Sequence, residues 1–240
     1  MTYDGLLFKR CAQEIVALSE KTKRDFIRGN RELSGEIGIG CGEFRSIQII
    51  AQIMKEFKKE HPFVTFQIYS GNSSNIKERI ESGILDIGVI LDYVDIRKYE
   101  YVRIPLSEEW GVLVREDSPL AAMEYVTPED IRELPLIISE RSMRDNELAD
   151  WIGKKYEDLN IVSTYNLMYN AAIMVANGMG VAGCIKLDCR YEGTRFVPAR
   201  PSVKNNSVFA WKKALSQSQA VSSFIEFSRI YIKRISSNTT

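Results

Sequence analysis

Histidine occurs once in the 240 residues and cysteine four times, and no apolar run is long enough to cross a bilayer. Each shortage excludes something. His61 stands alone in a Lys-Glu-His-Pro turn and reads as exposed. No serine or cysteine is marked as its partner, so a histidine-activated nucleophile is not indicated. HExxH, Walker and GxGxxG patterns are all missing. Cys11, Cys41, Cys184 and Cys189 show no metal-ligand spacing. Free thiols in a reducing cytoplasm fit them, with disulfide pairing left open. No catalytic residue, metal or cofactor is therefore expected. An excess of either charge is also lacking, because 32 Lys and Arg balance 32 Asp and Glu. That balance argues against nucleic-acid binding by this chain's own surface. The opening MTYDGLLFKRCAQEI is charged throughout and lacks the apolar stretch of a signal peptide. These readings make a cytoplasmic, non-membrane protein the expectation.

What is present is an α/β pattern, with 45% hydrophobic and 27% charged residues, enough for one large or two small lobes. Gly35 to Leu91 carries it most clearly. Ile37 and Ile39 alternate in a strand, and Gly40, Gly42 and Ser46 break it and open a helix. Ile47, Ile50, Ala51, Met54 and Phe57 recur at helical spacing, with Pro62 just beyond. Val64, Phe66 and Ile68 alternate again. Gly71 to Ser74 open a second helix through Ile76 and Ile80, which Gly83 ends. Leu85, Ile87, Val89 and Ile90 then form a strand apolar on both faces, which between crossover helices implies a parallel sheet. Ligands of such sheets bind at strand carboxyl ends near helix N-termini. Here those ends are Cys41 to Ser46, Asn72 to Ser74 and Leu91 to Tyr93.

Residues 3–28 read as one amphipathic helix with a narrow stripe of Leu7, Cys11, Ile15, Leu18, Thr22 and Phe26, suited to pairing with another helix. Gly29, Asn30 and Gly35 look like a linker. Beyond a polar turn at Asp92 to Arg97, two strands are expected at Tyr101 to Pro105 and Trp110 to Val114. Thr127 and Pro128 mark a helix start. Leu136 to Ile138 is a buried strand ending at Ser139, and Asn146 to Tyr156 is helical. Ile161 to Tyr165 is a strand ended by Asn166. A helix over Asn170 to Asn177 closes at Gly178, and a glycine-rich strand over Gly180 to Gly183 follows. Late strands at Phe196 to Pro198 and Ser207 to Trp211 precede a final helix over Ser216 to Arg234. The α/β pattern thus starts, restarts near residue 107, and returns at the end. Two α/β lobes with a cleft between them are the economical reading.

Taken in order, the opening helix, GEIGIG, FKKEHP, Gly71-Asn72, GILDIGVI and VANGMGVAG resemble the LysR-type transcriptional regulators across almost the whole chain. The resemblance implies a linker/dimerisation helix (1–34) and a two-lobed periplasmic-binding-protein type II-like effector-binding domain. Lobe I would take 35–106 and 206–236, and lobe II 107–205. A small-molecule effector would lie between the lobes. Self-association as dimer or tetramer is implied as well. DNA would be bound only through the winged helix-turn-helix domain that precedes the linker helix in that family. It does not occur in these residues, and truncation is the expectation.

The resemblance also implies the site. The loop after the first strand brings Gly42, Glu43, Phe44 and Arg45, with Cys41 adjoining. Family members often carry hydroxyl or amide side chains there, suited with helix amides to carboxylates. Glu43 would repel a simple anion unless Arg45 offsets it, which points to an amine-bearing or zwitterionic effector. Glu43 equally suits the start of the following helix. Asn72 and Ser73 match a second contact and also serve as turn and cap. Leu91 matches a third, or is plain core. Ser139, Asn166 and Leu167 are the counterparts in the second lobe. Gly178 and Gly180 answer to backbone geometry, Asp86 to structure, and Arg141, Arg144 and Asp145 to solvated loops. The rival readings are a transporter's solute-binding protein and a transferase or dehydratase of similar fold. The charged N-terminus argues against the first, and the lack of convergent catalytic groups against the second.

Overall fold

The computed structural model describes residues 33–91, 97–140, 147–213 and 217–237, together with Thr2, Asp4, Gly5, Phe8, Lys9, Cys11, Ala12, Gln13, Ile15, Val16, Leu18 and Ser19. The turn at 92–96, the linker pair Gly29 and Asn30, the stripe residues Leu7, Thr22 and Phe26, and Arg141, Arg144 and Asp145 lie outside the described residues. The chain divides into two compact units: residues 1–42, 46–105 and 206–240, and residues 43–45 and 106–205.

In the first unit, β1 (Ser34–Cys41) pairs in parallel with β2 (Phe63–Ser70) and β3 (Ile87–Leu91). The late strand β9 (Lys204–Lys212) runs antiparallel to β3, so the sheet is mixed. Ile37, Ile39, Ile87 and Val89 are fully buried. Gly40 does not break β1. A Cβ there would come 2.8 Å from both Ile76 and Leu85, so the glycine admits their side chains instead. Helix α1 (Ile47–Glu60) buries Ile50, Ile53 and Phe57, whereas Ala51 is exposed. The buried stripe is thus i, i+3, i+7, turned slightly from the expected face. Phe57 meets the rings of Phe66, Phe224 and Phe227 at 6.4, 5.1 and 5.4 Å, joining α1 to the final helix α6 (Gln219–Ser237). His61 is half-buried rather than exposed. It caps α1, its N–H bonds Phe57 O, and its ring lies 4.5 Å from Phe57. Helix α2 (Ser73–Glu81) packs Ile76 and Ile80 inward. Asp86 is structural: its Oδ2 accepts the Gly38 N–H at 2.8 Å. Of the opening segment, the described residues from Asp4 to Ser19 are helical, and Phe8, Ile15, Val16 and Leu18 are exposed.

Strand β4 (Tyr99–Arg115) is continuous where two strands were expected. Acids are rare in strands, and Glu108 and Glu109 fall in the gap between the two expected strands. In the fold Glu108 is buried and accepts the Arg45 N–H at 3.2 Å, while Glu109 pairs with Lys186 at 3.1 Å. The part of β4 up to Pro105 belongs to the first unit and the rest to the second.

In the second unit, β5 (Leu136–Ser139) is parallel to β6 (Ile161–Tyr165) and β7 (Val181–Ile185). Strand β4 runs antiparallel to β7 and to β8 (Thr194–Pro198). Val112, Ile131, Leu136, Ile138 and Val197 form one core. Helix α3 (Pro128–Ile131) starts at Thr127, whose N–H bonds the Asp130 carboxylate at 2.7 Å. Helix α4 (Glu147–Ile152) is shorter than expected, because Gly153 turns left-handed at φ 74° and stops it. Helix α5 (Met168–Ala176) starts two residues earlier than expected. Gly178 after it has φ 78°. A Cβ on Gly180 would lie 2.5 Å from Pro135 O, so both glycines answer to backbone geometry. All four cysteines are free, Cys41 and Cys184 buried, Cys11 and Cys189 exposed. Among the described residues no helix is long and apolar enough to cross a membrane.

Candidate functional site

Parallel pairing in the first unit aligns the carboxyl ends of three strands. Cys41 lies opposite Ser70 on β2 and Val89 on β3. The Gly71 N–H donates to Cys41 O at 3.2 Å, and the Gly42 N–H to Val89 O at 3.5 Å. Cys41, Gly42, Asn72 and Ser73 therefore share one end of the sheet, where α1 and α2 begin. Asn72 caps α2, its side chain accepting the Asn75 N–H at 2.9 Å. Ser73 is nearly buried, and the Cys41 thiol donates to Gly42 O at 2.9 Å. Leu91, opposite Ser207 on β9, has no exposed surface and sits in the core.

The second unit has a corresponding end. Ser139 faces Tyr165 across β5 and β6, and the Tyr165 hydroxyl donates to Gly183 O at 2.7 Å. Asn166 is exposed and Leu167 half-buried just before α5. The segment 43–45 belongs to this unit and is tied down three times. The Glu43 carboxylate accepts the N–H of Met168, the first residue of α5. The Arg45 N–H donates to buried Glu108. The Arg45 guanidine Nε contacts both oxygens of Asp188, at 2.9 and 3.0 Å. Glu43 thus serves a helix start, but that of α5 and not the helix that follows it in sequence. Phe44 between them is half-buried.

Three residues here carried no local signal: Met168 acts through its backbone, Asp188 lies in coil, and Glu108 sat in what read as a break. The two acids were visible only as charges without an assigned partner. Burial raises Tyr191 above the ordinary phenol range, with Cys189, Glu43 and Cys184 nearby adding to it. Burial likewise pushes the Cys184 thiol up to about 12, so it carries no thiolate at neutral pH.

Residues 30–231 match the family model described as the LysR substrate binding domain. The chain belongs to that family. LysR substrate-binding domains are the effector-sensing parts of transcriptional regulators, and the relatives this chain matches first are named as HTH-type transcriptional regulators, not as solute-binding proteins of a transporter. The chain is 32% identical over 157 residues to the uncharacterized HTH-type transcriptional regulator YwqM of Bacillus subtilis (strain 168), covering 62% of this chain and 53% of that protein. It spans about half the length of the curated relatives it matches first. Among solved structures, the effector binding domain of QuiR in complex with shikimate superposes with a TM-score of 0.72 at 18% identity, over 84% of this chain and 99% of that one. CbnR, a LysR family transcriptional regulator, gives 0.72 at 16% identity over 97% and 82%. At these identities the likeness establishes the LysR effector-domain fold alone, the two-lobed type II periplasmic-binding-protein-like architecture.

Proposed function

We propose that this LysR substrate-binding domain senses an amine-bearing or zwitterionic metabolite and transmits its binding to a DNA-binding domain of a longer cytoplasmic regulator. The chain acts as a sensor and not as an enzyme. The contact residues assigned here are Cys41, Gly42, Asn72 and Ser73 at the strand ends of the first unit, and Glu43, Phe44, Arg45, Ser139, Asn166 and Leu167 in the second. Leu91 contributes core support beneath them.

The observation that carries the effector class is the commitment of Arg45 to Asp188. With that guanidinium neutralised, the Glu43 charge is not offset within its own loop, and an anionic effector meets repulsion there. A carboxylate that accepts one N–H keeps lone pairs for a ligand ammonium. Binding acts on DNA affinity only through a difference in affinity for two states of the regulator. Residues 1–34 are proposed as the helix through which copies of the regulator associate as dimer or tetramer. The exposed Phe8, Ile15, Val16 and Leu18 support this.

A thermal-shift screen against amino acids, polyamines, aromatic acids and sugar acids tests the reading, since a ligand specific to the folded state raises Tm by mass action. Amines or zwitterions should raise Tm, and Glu43→Ala or Asn72→Ala should abolish the rise. A shift produced only by acids, and kept by Glu43→Ala, would sink the effector class.

A further inference from the structure

A cleft of about 790 Å³, open to solvent on one side, is lined by residues of the second unit alone, beside the coil 186–193 that joins β7 to β8. None of the strand-end residues assigned above lines it. Its apolar wall is made by Leu113, Met168, Cys184, Leu187, Tyr191 and Phe196. Leu113, Met168 and Cys184 belong to one buried cluster, against which the other three pack. The wall is therefore built into the core and not a fold of the surface. Its volume falls within the range of about 300–1,000 Å³ usual for small-molecule sites.

The polar lining carries both signs of charge. Arg190 and Arg195 stand opposite in sign to Glu116 and Glu192, and all four are exposed. Among the described residues no ion pair engages any of them. Lys186, the remaining charged lining residue, is bridged to Glu109 at 3.1 Å and lies 5.9 Å from the Phe196 ring centroid. Tyr191 adds a phenol, a hydrogen-bond donor at neutral pH. A lone anion or a lone cation would satisfy one half of this lining and face the other half unpaired.

We propose that this cleft is a second small-molecule site, selective for a zwitterion with an apolar side chain, of the class of the apolar α-amino acids. The side chain lies against Met168 and Phe196. The carboxylate is met by Arg190 and Arg195, and the ammonium by Glu116 and Glu192. None of its lining residues is among the effector contacts proposed above, although Glu43 bonds the Met168 amide, so persistence of the Met168 shift in Glu43→Ala separates this site from that one.

Three probes with the same ring separate the contributions: phenylalanine, 3-phenylpropionate without the ammonium, and 2-phenylethylamine without the carboxylate. The reporter is the methyl resonance of Met168 in methionine-methyl-labelled protein, one of seven, identified by its loss in Met168→Leu. Phenylalanine should shift that resonance saturably, and each single-headed analogue should bind about threefold to fivefold more weakly, as for exposed charge pairs. Replacing Arg190 and Arg195 by Gln should erase the advantage of phenylalanine over the amine while leaving the amine unchanged. Replacing Glu116 and Glu192 by Gln should erase its advantage over the acid. All four residues are exposed, so these variants keep the fold. A Met168 resonance indifferent to phenylalanine overturns the site. An analogue binding as tightly as phenylalanine overturns the zwitterion assignment.

Discussion

At the residue scale, the fate of single charges decides what each does. Glu43 illustrates this, since its neighbours in sequence suggested ligand contact or the capping of α1. Its hydrogen bond goes to the amide that opens α5 and not to α1, which leaves the ligand contact proposed above open to its remaining lone pairs. Glu43→Gln removes a full charge from that helix terminus and should lower stability by about 1 kcal/mol. The Met168 amide should then exchange faster with solvent. Unchanged exchange there would show that the contact is not formed in solution. Glu81 offers a test in pH. The Lys212 ammonium, bonded to its carboxylate, and the Tyr99 hydroxyl at 2.8 Å hold it below the ordinary value of 4.5. Because the folded value is lowered, the stabilisation is present above pH 4.5 and is lost as pH falls through the folded value. The carboxylate is 42% exposed, so solvent screening limits the effect to less than about 1 kcal/mol. Glu81→Gln should therefore melt lower than wild type at pH 7 and level with it near pH 3. A gap that persists at pH 3 would assign the loss to packing and not to charge.

At the element scale, the parts legible in the sequence are those where pattern and burial coincide. The alternation of Ile37 and Ile39, the apolar run of Ile87, Val89 and Ile90, and Thr127-Pro128 before α3 each depend on neighbours within a few residues, and each element formed, although Leu85, expected in the same strand as Ile87, lies before it. Failures came where a distant partner decides. Glu108 and Glu109 broke the strand pattern of β4, yet Arg45 and Lys186, far away in sequence, satisfy them within a continuous strand. Gly40 read as a breaker because its role depends on side chains of Ile76 and Leu85. The strand-end loops of the candidate site were legible for the same local reason, being turns that open helices. The bond from Glu43 to α5 was not, for it joins residues 125 apart. Two glycines separate the conformational role from the steric one. Gly153 has φ 74° and nothing within 4 Å of a built Cβ, so Gly153→Ala should cost about 1–2 kcal/mol through the left-handed backbone alone. Gly180 has no left-handed φ, but its Cβ would meet Pro135 O at 2.5 Å, so Gly180→Ala should cost more, on the order of 3 kcal/mol. Urea unfolding of both variants checks the order, and a larger loss at Gly153 would contradict the steric account.

At the scale of the whole molecule, the two units differ in how the chain builds them. The second unit, apart from 43–45, is one continuous stretch, whereas the first is assembled from three pieces, the last being 206–240. That last piece is not peripheral. Phe224 of α6 is fully buried and lies 5.1, 5.0 and 6.1 Å from the rings of Phe57, Phe66 and Phe209. Helix α6 thus covers apolar surface presented by α1, β2 and β9, elements drawn from both ends of the chain. Phe224→Ala should cost about 3–5 kcal/mol through the cavity it leaves. Ending the chain at Lys213 should go further and uncover the whole aromatic cluster, leaving the first unit without enough buried apolar surface to offset its ordering entropy. The second unit has its own core, with Val112, Ile131, Leu136 and Ile138 all buried, and needs no side chain of α6 for it. Hydrogen exchange on the shortened chain should therefore show β1 to β3 unprotected while β5 to β7 keep most of their protection. Loss of protection in β5 to β7 as well would mean that the second unit folds only on the first. An effector sensed there would then report on the state of the entire chain.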